Sequence, residues 1–282
     1  MGDQSYTPAK GPVSLLAQTI SISARFCVPL WSISAIFALP TFLLFDLLAW
    51  QTENPSMDYV AIPCTLVATY VCSFILIGEV SDIFLGGTTT ISKAIGRASV
   101  VGVGRLLGAD ALMWIMVGVT FFGTVFLLAF LNLVLYHTLK ITLVFALSLG
   151  PAFLIMTLFL LNSQVVVIER LYWLSALRRS ASLTWQSKTT SLGIALVFVL
   201  LYTGFETVFM LVPGNNLFEL PSFSILLAFP ELLDQDPQMG LAGRMAASVL
   251  LAASIPILNI FVTLGYFSVS RAPVVTHGHV VN

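Results

Sequence analysis

Five acidic side chains lie inside or at the ends of long apolar runs, namely Asp46, Glu79, Asp82, Asp110 and Glu206. In lipid an Asp at a helix centre costs about 2.5 to 3.5 kcal/mol on insertion scales, so each such group is expected to face a cavity or a partner. Glu206, flanked by "YTGF" and "TVFM", has no Lys or Arg in its own run. With Asp46 at similar depth and Asn259 near Pro256, it can line a polar cavity suited to a cation, a proton or a polar headgroup. A protonated Glu206 hydrogen-bonded to a neighbouring helix is the other reading. Glu79, Asp82 and Asp110 fall nearer the basic ends of their runs, where Arg97, Arg105, Arg178 and Arg179 are expected to pair with them or where they meet water.

Other chemistries find little support. The histidines are His137, His277 and His279, too few and too dispersed for a membrane di-metal centre, and no metal or cofactor is expected. Cys27, Cys64 and Cys72 form no C-x-x-C pair, so neither a zinc site nor a disulfide framework is indicated. No phosphate-binding loop, dinucleotide fingerprint or Ser-His-acid pattern occurs, and no catalytic residue is assigned. The formal net charge of -1 gives no reason to expect a nucleic-acid partner.

The elements that must position these groups are membrane spans. The chain has 282 residues, 58% hydrophobic and 9% charged, against roughly a quarter charged in soluble domains. A helix needs about 20 apolar residues to cross the hydrocarbon core. Six segments qualify, about 27–50, 59–85, 107–132, 139–168, 190–213 and 245–269. The expected fold is therefore an all-α polytopic membrane protein. Lys10, Arg25, Lys93, Arg97, Arg105, Arg170, Arg178, Arg179, Lys188 and Arg271 fall on one side of these spans, and Lys140 and Arg244 on the other. By the positive-inside rule both termini are expected in the cytoplasm. Among the prolines within spans, Pro151 in "LGPAF" marks the fourth as the one expected to bend. The loop from Pro213 to Arg244 carries "SFSILLAFPELL", too short to span and expected to lie as an interfacial or re-entrant helix, or simply as a lid over the bundle.

Three basic segments precede the three pairs of spans. In "ERLYWLSALRRSASLTWQSK", Trp173, Leu174, Leu177, Ala181 and Trp185 share one helical face and Ser175, Arg178, Arg179, Ser182 and Gln186 another. In "SLLAQTISISARF", Ser14, Gln18, Ser21 and Arg25 form a polar stripe. In "ISKAIGRASVVGVGR", Ala94, Ile95 and Arg97 match Ala176, Leu177 and Arg179 at an offset of 82 residues. The expectation is three interfacial amphipathic helices and three pseudo-repeats, about 12–88, 89–168 and 169–271, forming one membrane domain over 1–271 with a cytoplasmic tail at 272–282. Arg25, Arg97, Arg105, Arg178 and Arg179 are the candidate anchors for anionic lipid headgroups.

"VVIERLYWLSALRRSASLTWQSKTTSLGIALV", "SKAIGRASVVGVGRLLGADAL" and "FVTLGYFSVSR" resemble the membrane domain of glycerophosphodiester phosphodiesterases and its stand-alone relatives. The likeness runs from about Pro12 to Arg271. It implies a six-helix membrane domain with interfacial helices. It implies no phosphodiesterase activity, because in the fused enzymes the chemistry sits in a soluble barrel for which this chain has no length. The leading functional expectation is a non-enzymatic protein that binds or senses lipid headgroups or supports a membrane protein partner. A transporter using the intramembrane acids is the alternative, and an enzyme using carboxylates as acid and base is a third.

Overall fold

The computed structural model describes residues 11–52, 58–87, 99–134, 141–210 and 241–270, and among these every regular element is an α-helix. In chain order they are α1 (Pro12–Arg25), α2 (Cys27–Phe37), α3 (Leu39–Thr52), α4 (Asp58–Phe84), α5 (Val100–Val134), α6 (Ile141–Phe159), α7 (Asn162–Ile168), α8 (Trp173–Gln186), α9 (Lys188–Met210) and α10 (Leu241–Val269). Six stretches are long and apolar enough to cross a membrane: Cys27–Phe45, Pro63–Phe84, Val100–Leu133, Leu147–Ile168, Lys188–Phe205 and Ser248–Val269. The chain is an all-α polytopic membrane protein.

Helix α10 is the centre of one half of the bundle, packing against α1, α2, α3, α4 and α9. Its residues Ile260, Phe261 and Leu264 are fully buried in the main core with Leu15, Ile22, Leu30 and Leu76. Helices α5 to α8 pack on one another as the second half, and α4 touches both through α5 and α7. Along α5, Ile115, Val119, Phe122, Phe126 and Phe130 are exposed, as suits side chains that meet lipid in a membrane. At 35 residues and 1.5 Å per residue, α5 is about 52 Å long, against roughly 30 Å for the hydrocarbon core.

Breaks in the spans have local causes. Pro40 lies just after the break between α2 and α3. Pro256 stands inside a continuous α10 and cannot donate to Ala252. Ser34 on α2 supplies the missing donor, its hydroxyl bonding the Ala252 carbonyl oxygen. Pro151, where a bend is expected, lies inside α6, which runs on to Phe159. The interruption falls at Leu160–Leu161, where sequence offers no proline or glycine. There Ser180 Oγ donates to Leu158 O at 3.0 Å, and Thr184 Oγ1 lies 3.4 Å from the same oxygen and 3.5 Å from Thr157 O. Hydroxyls of α8 thus stand in for the amides a continuous helix would provide.

The expected interfacial segments fare differently. Helices α1 and α8 are separate elements, each breaking before the span that follows. Of the middle segment, 88–98 lies outside the described residues, and from Val100 the chain is already part of α5. The two-faced reading of α8 also needs amending. A third stripe, Ala176, Leu177, Ser180, Leu183 and Thr184, is buried inside the bundle, while Trp173, Leu174 and Trp185 remain exposed. Helix α1 likewise buries Leu15, Thr19 and Ile22. The loop segment "SFSILLAFPELL" and the tail 272–282 lie outside the described residues.

Candidate functional site

Where α5 begins and α7 ends, a partly open cavity of about 370 Å³ is lined by Phe74, Ile75 and Gly78 of α4, by Ser99 just before α5, by Val101, Gly102 and Arg105 of α5, and by Val166, Val167 and Arg170. Its lining mixes apolar and polar surface; among the described residues its charged members are Arg105 and Arg170, and no acid lines it. Ser99 caps α5: its hydroxyl accepts from Gly102 N at 3.0 Å and its carbonyl from Val103 N at 3.0 Å. The positive end of a long helix therefore borders the same cavity as Arg105 and Arg170.

The arginines reach the cavity by different routes. Arg105 lies over the Tyr172 ring, Cζ 3.9 Å from its centroid, and donates through Nη2 to the Tyr172 hydroxyl. Its Nε is buried without a hydrogen-bond partner among the described residues. The aromatic face and the hydroxyl hold the planar guanidinium in one orientation. Arg170 follows the seven-residue α7 with φ of 57°, the one positive-φ non-glycine among the described residues. The comparable turn after α4 is made by Gly86, φ 80°, with Gly87 N bonding Asp82 O at 2.8 Å. A side chain in this region costs about 1 to 2 kcal/mol. The chain bears that cost at an exposed residue that lines the cavity.

Beside Arg170, Glu169 binds the bundle end together. Arg179 Nε lies 3.0 Å from each Glu169 oxygen, and Tyr266 of α10 donates to Oε1 at 2.8 Å. The Trp173 ring abuts Gly108, where an added Cβ would stand 2.6 Å from it, so α8 and α5 meet closely. These contacts fix the backbone on both sides of Arg170.

The predicted site residues do not gather in one place. Arg105 lines the cavity, Arg179 is committed to Glu169, Arg178 is exposed on α8, and Arg25 is exposed with Cζ 5.6 Å from the Phe26 ring. Arg97 lies outside the described residues. Asp46 and Glu206 fall on α3 and α9, but their side chains lie outside the described residues. Asn259 serves packing: Nδ2 donates to Ile255 O at 2.9 Å and to Ser73 Oγ of α4 at 3.2 Å. Asp110 meets neutral donors at the α6–α7 break instead of an arginine, with Asn162 Nδ2 3.0 Å from Oδ1 and Ser163 Oγ 3.1 and 3.0 Å from the two oxygens. Arg170, absent from the sequence-derived anchors, has no signal in a sequence pattern because a positive φ is visible only in the folded backbone. No group of three or more His, Cys, Asp or Glu placed to hold a metal ion occurs among the described residues. No protein-family model, curated protein or solved structure matches the chain.

Proposed function

We propose that this protein is a non-enzymatic membrane protein that binds anionic lipid headgroups, and that the cavity between α4, α5 and α7 is the binding site. The observation that carries this reading is Arg170, an arginine in a backbone conformation that favours glycine, lining one cavity with Arg105 and the start of α5. Two guanidinium groups and a helix start give positive potential, and the apolar members of the lining, among them Phe74, Ile75 and Val166, suit the glycerol and first methylenes of a lipid. We place this end of the bundle, and both termini, in the cytoplasm, because ten of the twelve basic residues fall on that side of the spans. Kinship with the membrane domain of glycerophosphodiester phosphodiesterases stays part of the proposal and rests on the quoted segments.

The test is ligand-linked stabilisation of the purified, delipidated full chain in mild detergent. Short-chain phosphatidylglycerol at a hundred times its dissociation constant should stabilise by about 2.7 kcal/mol. Matched phosphatidylcholine should give no saturable shift. Equal responses to both lipids would remove the proposed site.

A further inference from the structure

We infer that the outward face of α8 is a lipid contact in its own right, a ridge that lies in the headgroup layer of the bilayer and selects anionic lipid through Arg178 and Lys188. Neither residue lines the cavity, so this contact is independent of it. Around α8 three stripes follow one another. Ala176, Leu177, Ser180, Leu183 and Thr184 are buried in the bundle. On the far side Ser175, Ser182 and Gln186 form an exposed polar stripe. Between the two, Leu174, Arg178 and Trp185 fall at i, i+4 and i+11 and share one line along the helix. Leu174 is 62% exposed and Trp185 65%, and Arg178 is exposed with them. A helical wheel alone groups Arg178 with Arg179 and Leu174 with Leu177. In the folded chain Leu177 goes to the core and Arg179 to Glu169, which leaves Arg178 in an apolar line bounded by a Leu and a Trp.

The ridge runs directly into a membrane span, which identifies its occupant as the bilayer. Lys188 opens α9, whose Lys188–Phe205 stretch is long and apolar enough to cross a membrane, and its Nζ lies 3.9 Å from the Trp185 ring centroid. From Lys188, Leu192, Leu196 and Leu200 follow at four-residue steps and are exposed, as side chains that meet lipid are. A Trp and two basic residues at the end of such a stripe match the interfacial belt, where long stems lie on apolar surface and charged heads reach the headgroups. The charge has no internal complement. No Asp or Glu occurs between Arg170 and Phe205, and among the described residues neither Arg178 nor Lys188 has an acidic partner. Arg178 and the Trp185 that carries Lys188 are seven residues apart, about 10 Å along the axis. That separation suits two headgroups better than one phosphate, so the ridge reads lipid charge and not headgroup type.

The experiment is quenching of tryptophan fluorescence by brominated lipid. The full chain is reconstituted into phosphatidylcholine bilayers containing a graded fraction of either brominated phosphatidylglycerol or brominated phosphatidylcholine, with bromine high on the acyl chain. The Trp185 signal is the difference between the wild-type protein and Trp185→Phe, a change at an exposed position. Quenching of that signal is expected with both lipids, and phosphatidylglycerol should be favoured about fivefold, one basic side chain near an anionic surface being worth about that factor. Brominated phosphatidylserine should match phosphatidylglycerol within about twofold if net charge is what is read. Replacing both exposed cations, Arg178→Gln with Lys188→Gln, should bring phosphatidylglycerol and phosphatidylcholine within about twofold of each other, and 1 M salt should do the same to the wild type. A Trp185 signal that neither brominated lipid quenches would overturn the placement of the ridge in the bilayer. Equal quenching of the wild type by the two lipids would overturn its preference for anionic lipid, and a preference that survives in the double variant would overturn the role of Arg178 and Lys188.

Discussion

Replacing Arg170 by glycine and, separately, by alanine isolates the backbone cost from the side-chain role. Both variants remove the guanidinium and whatever it contacts, so those losses cancel in the comparison. They differ in what φ of 57° costs them. Alanine keeps a Cβ and the left-handed penalty of about 1 to 2 kcal/mol. Glycine escapes it but gives up about 0.4 to 1 kcal/mol through the freer unfolded chain. The Arg170→Gly protein should therefore be more stable than the Arg170→Ala protein by about 1 kcal/mol. That corresponds to a rise of about 2 to 4 °C in apparent melting temperature, by the scaling for chains of about 150 to 250 residues. Differential scanning fluorimetry in one detergent at one scan rate reads the difference. In both variants the phosphatidylglycerol-induced shift should fall to less than half of the wild-type shift. An alanine variant as stable as the glycine variant would refute the strained backbone. Retention of the full lipid shift by both would refute the role of Arg170 in binding.

Other consequences follow from the packing. Ser34→Ala removes the donor to Ala252 O and should cost about 1 kcal/mol, but in a Pro256→Ala background, where the helix amide returns, the cost should vanish; a double-mutant cycle by thermal unfolding measures the coupling. Asp110→Ala strands Asn162 and Ser163 at the α6–α7 break and should destabilise by about 2 kcal/mol, with Asp110→Asn costing less, again by melting temperature. Gly108→Ala drives a Cβ into Trp173 and should cost about 1 to 3 kcal/mol while shifting the tryptophan emission. An unchanged spectrum and stability would mean that α8 does not seat against α5 there.

The spans were legible because hydropathy measures the one quantity a bilayer imposes, and all six predicted segments overlap helices of the structure. Segmentation within them was less so. The break at Leu160–Leu161 depends on hydroxyls of Ser180 and Thr184, more than a helix length further along the chain, and no local pattern announces a partner supplied by another helix. Proline is a visible signal but an ambiguous one: Pro151 and Pro256 sit inside continuous helices. Helical wheels for α1 and α8 separated apolar from basic faces but missed the buried stripes at Leu15–Thr19–Ile22 and Ala176–Ser180–Leu183, whose small or polar members mark close packing between helices. The site was half legible. Arg105 stood out as a basic residue at a span end, whereas Arg170 became distinct only through its backbone angle, and Arg179 proved to be an ion-pair partner of Glu169.

The most direct test of headgroup binding is photo-crosslinking of the full chain in nanodiscs with a phosphatidate carrying a diazirine next to its glycerol, followed by peptide mapping with and without excess unlabelled phosphatidate. Competable label is expected on Phe74–Gly78, Ser99–Arg105 and Val166–Arg170, the segments that line the cavity. Label confined to the exposed α5 face around Phe122, Phe126 and Phe130, and insensitive to competitor, would contradict it.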